Sequence, residues 1–255
     1  MLEKNLLKHI GKLAQKKYRR DFGHFIVEGE KGVMEALRHG QVAAVIISAI
    51  LQDDEHYAEL TRAAKQRGAE VHFASNLDIN KIKTTETFSG VMALCEMPEN
   101  DFDDIDQQSH ILYLENISDP GNLGTLIRTA DWFGVRNIVL SRNCVDPYND
   151  KVVRSTMGSI FRLKLIQSSD DAHTLELLKK DGYVLSILDM NGDDISTISP
   201  QKRHILALGS ESHGISPDLE KMADQRYTIP GQGSAESLNV AMAGGIALYQ
   251  LMKNA

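Results

Sequence analysis

Short runs of apolar residues alternate with amphipathic stretches along most of this chain. The apolar runs have the length of buried strands, and the stretches between them have the three-to-four-residue apolar spacing of helices. This alternation predicts an α/β fold with mostly parallel strands. Strands are expected at residues 24–28, 42–48, 71–73, 90–95, 110–115, 137–141, 183–188 and 204–208, and helices at residues 31–38, 56–67, 123–133 and 237–252.

The alternation stops once, between Pro98 and Gln108. This segment, PENDFDDIDQQ, has five acidic residues, no basic ones and little to bury, which is typical of a surface linker. We therefore expect a small α/β/α domain in residues 1–97, an acidic linker in residues 98–108 and a larger α/β domain in residues 109–255.

The composition, 42% hydrophobic and 25% charged, is that of a globular protein. The sequence contains no run of about 18 apolar residues and starts without the apolar core of a secretory signal, so a cytoplasmic protein is expected. Its two cysteines, Cys95 and Cys144, are too few and too far apart for a disulfide framework or a four-sulfur zinc site. No metal is expected.

Charge is unevenly distributed over the chain, which has a net charge of −7. Residues 1–20 have seven Lys or Arg and one Glu, so the other 235 residues carry −13. Five of the basic residues recur at every fourth position, which a helix would place along one face: Lys4, Lys8, Lys12, Lys16 and Arg20. Such a face either is simply solvated or contacts the phosphates of a polyanion.

Three segments place polar residues where a predicted strand gives way to a loop or a helix. They are ENISDPGNLGTLIRTADWFG at residues 115–134, ALGSESHGIS at residues 207–216 and YTIPGQGSAESLNVAMAGG at residues 227–245. Ligands bind at the carboxyl ends of strands in an open parallel sheet, so these segments are expected to converge. None contains a dinucleotide, P-loop or nucleophile-elbow fingerprint. The hydrophobic pattern alone therefore predicts an α/β binding protein and nothing more specific.

The same segments contain three ordered motifs: an Asn, then Asp-Pro-x-Asn-x-Gly, Arg-x-Ala and Phe-Gly; a Gly-x-Glu-x-x-Gly; and an Ile-Pro followed by Ser-Leu-Asn-Val. The residues that match are Asn116, Asp119, Pro120, Asn122, Gly124, Arg128, Ala130, Phe133 and Gly134; Gly209, Glu211 and Gly214; and Ile229, Pro230, Ser237, Leu238, Asn239 and Val240. In identity, order and spacing they resemble the motifs of the SpoU (TrmH-type) RNA 2′-O-ribose methyltransferases of the SPOUT superfamily.

The resemblance implies an α/β fold of the SPOUT type, with a parallel sheet and a C-terminal deep trefoil knot that binds S-adenosyl-L-methionine. In the family, backbone groups hold this cofactor; they correspond here to Gly209, Ile229 and Leu238. The N-terminal unit, on signals such as FIVEG at residues 25–29, resembles the ribosomal-protein-like RNA-binding domain of many members. Family members are usually homodimers. The small residues of the last predicted helix fit either such an interface or close packing within one chain.

The implied reaction is methyl transfer from S-adenosyl-L-methionine to a ribose 2′-hydroxyl of RNA, with rRNA favoured over tRNA and with no metal. The resemblance assigns the catalytic cluster to Asn122, Arg128, Glu211, Ser237 and Asn239. A guanidinium stays protonated, so we expect Arg128 to pair with the target phosphate or the developing alkoxide rather than to act as a base. The asparagines and the serine would orient the hydroxyl, and Glu211 would hold Arg128 or the cofactor.

Some alternatives remain open at this point. A non-catalytic RNA-binding protein with the same fold is disfavoured by the intact cluster, and a hydrolase that uses Ser210 and His213 lacks a nucleophile elbow and an identifiable acid. Arg154 is a candidate RNA phosphate contact or else part of a structural salt bridge. The basic candidates for RNA contact near the N-terminus are Lys12, Lys16 and Arg20. Trp132 is expected to pack beside the Phe-Gly turn.

Overall fold

A computed structural model describes residues 2–210 and 213–253. Through residue 99 the helices are α1 Lys4–Lys12, α2 Lys16–Phe22, α3 Glu30–His39, α4 Glu55–Gln66 and α5 Asn76–Ile82, and the strands are β1 His24–Glu28, β2 Val42–Ser48, β3 Glu70–Ala74 and β4 Val91–Glu96. From residue 100 onward the helices are α6 Pro120–Phe133, α7 Asp150–Ser155, α8 Asp171–Lys180, α9 Pro217–Met222 and α10 Val240–Met252, and the strands are β5 Ile111–Leu114, β6 Asn137–Leu140, β7 Lys164–Gln167, β8 Val184–Asp194, β9 His204–Leu208 and β10 Gln225–Thr228.

The chain forms two compact units. Met1–Glu99 and Asp146–Phe161 make the first, and Asn100–Val145 and Arg162–Ala255 make the second. The sequence predicts one continuous stretch for each domain, whereas here residues 146–161 belong with the first unit. Aromatic packing explains this, because the buried Phe25 ring lies 4.9 Å from that of Tyr148 and 5.9 Å from that of Phe161.

The sheet of the first unit has the strand order β1-β4-β2-β3. Strand β4 runs antiparallel to both β1 and β2, and only β2 and β3 are parallel. The prediction of mostly parallel strands is therefore wrong for this unit, since an apolar run specifies a buried strand but not its direction. Helices α1 and α5 pack on the face that includes the fully buried Ile46 and Met92.

The basic N-terminal segment is two helices rather than one. The guanidinium of Arg19 is buried and donates to the carbonyl oxygens of Leu13 (2.7 Å) and Ala14 (3.1 Å), between α1 and α2. Its Nε also donates to the Asp146 carboxylate, at 2.8 Å. Because helix α1 ends near these carbonyls and α2 begins at Lys16, the predicted stripe with one basic residue per turn does not run along a single helix.

The second half of the predicted acidic linker is packed against the second unit. Ile105 is 5% exposed and belongs to the core of that unit, with Phe102 against it. The backbone N–H of Asp106 donates to Asn137 Oδ1, and Asn137 Nδ2 donates back to the Asp106 carbonyl, both at 3.1 Å. The expectation that this segment has little to bury is therefore wrong, because Phe102 and Ile105 pack into the core although five carboxylates surround them in sequence.

The sheet of the second unit is parallel throughout, in the order β10-β8-β9-β5-β6-β7. This confirms the predicted parallel α/β architecture for this unit. Ile111–Leu114 pairs with Asn137–Leu140 on one side and Ile205–Leu208 on the other, so these strands end at one edge. The three motif segments begin at this edge. Among the described residues, no helix has the length and apolar character needed to cross a membrane.

Candidate active site

The first motif forms the start of α6. The Asp119 side chain accepts a hydrogen bond from the backbone N–H of Asn122 (2.8 Å), and Pro120 occupies the first turn. The helix ends at Gly134, whose φ of 79° is a left-handed conformation that glycine adopts without strain. The helix therefore begins three residues earlier than predicted, and Asp119 caps it.

The structure brings the first and third motifs together through a pair of asparagines. Asn239 Oδ1 accepts from the N–H groups of Ala241 (2.9 Å) and Met242 (3.3 Å), which caps α10. The amide is thereby oriented with its nitrogen outward, and Nδ2 donates to Asn122 Oδ1 at 3.0 Å. Two residues 117 positions apart thus face each other at the N-termini of α6 and α10.

Close packing of α10 against α6 holds this pair in place. A Cβ added to Gly244 would lie 2.5 Å from Leu126 Cδ2 and 2.7 Å from Leu208 Cδ1. At Gly245 the nearest such contact is an ordinary 3.8 Å, to Thr129 Cγ2. Of the two adjacent glycines, only Gly244 is required by packing within the chain.

The second motif is a tight loop after β9. Ser210 and Gly214 exchange two backbone hydrogen bonds, at 3.0 and 2.9 Å. A Cβ at Gly209 would fall 2.1 Å from the Gly214 backbone, so no side chain can be accommodated at Gly209. The predicted catalytic Glu211 lies outside the described residues.

Glu115 is a site residue that sequence reasoning passed over. Its carboxylate, 8% exposed at the end of β5, accepts from the Ser216 N–H at 2.8 Å and from the Ser216 hydroxyl at 2.6 Å. Ser216 also caps α9. Glu115 therefore anchors the chain that leaves the second motif to the central strand. The available signal was a carboxylate placed directly after an apolar strand, where the motifs were expected to converge.

Asn116 turns the chain away from β5 with a left-handed φ of 56°, a conformation that asparagine tolerates better than most residues. Its N–H donates to the Ser141 hydroxyl at 2.9 Å. Cys144 lies beside them and donates to the Leu114 carbonyl oxygen at 3.1 Å. Burial raises the pKa of both the Cys144 and Cys95 thiols, so both remain protonated packing residues.

Arg128 and Ser237 are not brought onto the asparagine pair. Arg128 is exposed on α6, and its six-residue separation from Asn122 places the two side chains about 120° apart around the helix axis. Within residues 2–210 and 213–253, Arg128 has no hydrogen-bond or ion-pair partner. Ser237 and Leu238 lie in an exposed loop, residues 229–238, whose backbone groups likewise have no partner among the described residues.

Arg154 lies in the first unit, within a local network. Its Nη1 donates to Asp150 Oδ2 at 2.9 Å and to the Thr84 hydroxyl at 3.0 Å. Arg154 therefore forms a structural salt bridge with Asp150, the second of the two alternatives for this residue. Of the other candidates for RNA contact, Lys12 and Lys16 are partly exposed and Arg20 is exposed.

Trp132 is 84% exposed, so the expectation that it packs beside the Phe-Gly turn is wrong. It lies on the solvent-facing stripe of α6 with Thr125 and Arg128. No group of three or more His, Cys, Asp or Glu side chains in the described part of the chain is arranged to hold a metal ion.

Comparison with known proteins matches residues 109–249 to the SpoU rRNA Methylase family and residues 4–93 to the MRM3-like substrate binding domain. The chain belongs to the SpoU rRNA Methylase family. The resemblance seen in the three motifs is thereby confirmed.

Relatives of this SpoU family protein match it over nearly its whole length. The 23S rRNA (guanosine(2553)-2′-O)-methyltransferase RlmP of Bacillus subtilis (strain 168) is 33% identical over 242 residues, 94% of this chain and 93% of that protein. The AdoMet-bound rRNA methyltransferase from Sinorhizobium meliloti is 28% identical, with a TM-score of 0.88 over 100% of this chain and 96% of its own. The methyltransferase AviRb from Streptomyces viridochromogenes, in complex with AdoMet, is 25% identical, with a TM-score of 0.88 over 99% of this chain and 98% of its own.

Proposed function

We propose that this protein transfers the methyl group of S-adenosyl-L-methionine to a ribose 2′-hydroxyl of ribosomal RNA. The observation that carries the proposal is the hydrogen bond from Asn239 to Asn122, which joins two of the three family motifs. It lies beside the edge where the parallel strands end, the place at which such sheets bind ligands. The names of RlmP and the Sinorhizobium meliloti protein support rRNA as the substrate.

Backbone groups at Gly209, Ile229 and Leu238 are proposed to hold the cofactor. The fit rests on the backbone amides and carbonyls of residues 229–238, which have no partner among the described residues. Such groups would pair with the polar edges of an adenosine. When bound, S-adenosyl-L-methionine supplies an electrophilic methyl group on its sulfonium.

The chain's own side chains then have to align the ribose hydroxyl and stabilise the charge that develops on it. We assign Arg128 to the target phosphate or the developing alkoxide, because a guanidinium binds such oxygens with two parallel hydrogen bonds. Asn122, Ser237 and Asn239 orient the hydroxyl and its neighbours, and Glu211 holds Arg128 or the cofactor. Capping of α10 fixes the orientation of the Asn239 side chain.

The proposal extends to the arrangement of the chain. Residues 1–97 serve as the RNA substrate-binding domain, residues 98–108 as the linker and residues 109–255 as a methyltransferase domain with a deep trefoil knot, in the cytoplasm where ribosomal RNA is found. Backbone segments distant in sequence approach closely at Gly192, where an added Cβ would lie 2.8 Å from the Arg226 backbone. Basic side chains of the first unit, with Lys12, Lys16, Arg20 and Arg154 as candidates, contact RNA phosphates.

A homodimer formed through the methyltransferase domain is also part of the proposal. Three large apolar side chains on α6 and α10 are exposed to solvent: Trp132 at 84%, Met242 at 62% and Tyr249 at 52%. The Tyr249 ring lies 6.1 Å from that of Phe133, so aromatic side chains of the two helices lie next to each other. Exposed apolar surface of this kind marks interaction sites in soluble proteins.

The test is transfer of labelled methyl from S-adenosyl-L-methionine to unmodified ribosomal RNA and, separately, to unmodified transfer RNA. We expect label in 2′-O-methylribose of ribosomal RNA. Arg128→Ala should lower the rate about 100- to 1,000-fold, the loss that follows removal of a charge-stabilising donor. Arg136→Ala, an exposed arginine of the same unit, is the matched control and should leave the rate within about twofold.

Calorimetric titration with the cofactor separates the ways in which the proposal can fail. No cofactor binding would reject the methyltransferase. Binding without transfer to either RNA would reject the reaction as assigned. Label confined to transfer RNA would reject ribosomal RNA as the substrate.

A further inference from the structure

Four aromatic rings meet where α1, α2 and β1 come together in the first unit: His9, Tyr18, Phe22 and His24. His9 stacks on Phe22 with centroids 4.6 Å apart, and Tyr18 stacks on Phe22 at 5.7 Å. The interplanar angles are 24° and 26°, so three of the rings form one nearly parallel stack that ends at Tyr18. All four side chains are only partly buried, so this stack lies at the surface.

Two lysines lie over the terminal ring of the stack. Lys12 Nζ is 4.9 Å from the centre of the Tyr18 ring and 5.8 Å from that of Phe22, and Lys17 Nζ is 6.0 Å from that of Tyr18. Neither ammonium forms a salt bridge with a carboxylate in the described part of the chain. Residues 1–20 carry seven basic side chains and one acidic side chain, in a protein with a net charge of −7.

A half-exposed aromatic stack beneath unpaired cations combines the two features by which proteins bind single-stranded nucleic acid. Bases stack on the rings, and the cations neutralise the flanking phosphates. Paired bases in an RNA helix do not expose their faces, so a duplex could use only the cations. Burial, then the nearby His24 and Lys12, lowers the pKa of His9, which keeps this ring neutral and stacked behind Phe22 at neutral pH.

We propose that Tyr18, supported by Phe22 and His9 and flanked by Lys12 and Lys17, is a stacking site for an unpaired nucleotide of the RNA substrate. The inference rests on the proposed function only in taking RNA as the ligand. On binding, the base lies against the Tyr18 ring, and the two ammonium groups move from the ring to the neighbouring phosphates. The site gives the first unit a preference for loops and single strands over continuous helices.

The test uses the full chain and measures fluorescence anisotropy with two labelled probes at one fixed salt concentration. The probes are a ten-nucleotide oligouridylate and a ten-base-pair RNA duplex. Tyr18→Leu should weaken oligouridylate binding about tenfold or more, the range for loss of one stacked base, and change duplex binding less than about twofold. Tyr18→Phe keeps the ring and should bind both probes within about twofold of the unmodified chain.

Two further variants control for fold and for charge. Tyr57→Leu removes a partly exposed tyrosine elsewhere in the same unit and should leave both affinities unchanged. For Lys12→Gln and the unmodified chain, oligouridylate binding is also measured over a range of salt concentrations. Lys12→Gln should reduce the slope of log affinity against log salt by about 0.7, the contribution of one phosphate contact.

The stacking site is rejected if Tyr18→Leu binds oligouridylate as the unmodified chain does, or if it loses duplex binding to the same extent. It is also rejected if Tyr18→Phe is as weak as Tyr18→Leu. Methyl transfer is measured separately. A chain that binds oligouridylate through Tyr18 but transfers no methyl group retains the stacking site and loses the enzymatic assignment. An active enzyme in which Tyr18→Leu has no effect loses only the stacking site.

Discussion

Asn239 performs two tasks with one amide group. Its oxygen caps α10, and its nitrogen donates to Asn122. Because the cap fixes which end of the amide faces the helix, the donor direction toward Asn122 is set by local structure and needs no further support. A substitution that keeps the capping oxygen and removes the N–H donor can therefore separate the stability of the helix from the chemistry of the site.

Asn239→Asp is such a substitution. Asp is as good a cap as Asn, so the melting temperature should change by no more than a few degrees. A carboxylate cannot donate to Asn122 Oδ1 and repels it, so methyl transfer should fall about tenfold to 100-fold. Asn149→Asp, the same change at the N-cap of α7, should affect neither quantity. A normal rate in Asn239→Asp would remove the asparagine pair from the mechanism.

At the scale of elements, the contact of α10 with α6 predicts opposite effects for two adjacent glycines. Gly244→Ala would place a methyl group 2.5 Å from Leu126 Cδ2, and overpacking of this kind costs about 1–3 kcal/mol. Gly245→Ala meets nothing closer than 3.8 Å and should gain up to about 1 kcal/mol from helix propensity. Urea unfolding of the two variants measures both. Equal effects would show that the helix packs differently.

The amino ends of the sheet strands contain two buried histidines in the neutral form. The His204 N–H donates to His110 Nδ1 at 3.1 Å, and the Ser186 hydroxyl lies 2.8 Å from His204 Nδ1. Burial, followed by the charge of His204, lowers the pKa of His110 to about 4. Burial also lowers the pKa of His204. Both side chains therefore pack as uncharged groups at neutral pH.

These shifts predict a loss of stability in mild acid. Between about pH 6.5 and pH 4, His110 is protonated in the unfolded chain and neutral in the folded chain. The free energy of unfolding therefore falls as the pH drops through this range. The loss from His110 approaches about 3 kcal/mol. His110→Asn keeps an acceptor without a titrating ring, and urea unfolding at several pH values should show a flatter profile for it. An unchanged profile would contradict the assignment to His110.

At the scale of the whole molecule, the proposed dimer places the single tryptophan of the chain at an interface. Trp132 is 84% exposed in one chain, so dimer formation should shift its fluorescence to shorter wavelength, and dilution should reverse the shift. Trp132→Glu should sediment as a monomer. Ile50→Glu, at a 77% exposed position in the first unit, should sediment as the unmodified chain does. A monomer at every concentration of the unmodified chain would reject the dimer.

The sequence alone determined the elements and motifs that depend on neighbouring residues. The bounds of β1, β2 and β9 follow from apolar runs, and the parallel second sheet follows from their alternation with helices. Family membership was readable for a similar reason, because each motif is a short stretch whose residue types and spacing are visible in one dimension. The meeting of the motifs was predictable from the rule that parallel strands end at one edge.

Only the tertiary structure decided the features that depend on distant partners. The direction of β4, the break between α1 and α2 at Arg19, and the attachment of residues 146–161 to the first unit depend on contacts between distant parts of the chain. The same holds for Glu115, whose role exists only because Ser216 comes within hydrogen-bond distance. The hydrophobic periodicity of the sequence indicates which residues are buried, whereas the tertiary fold determines which partners each buried or polar group contacts.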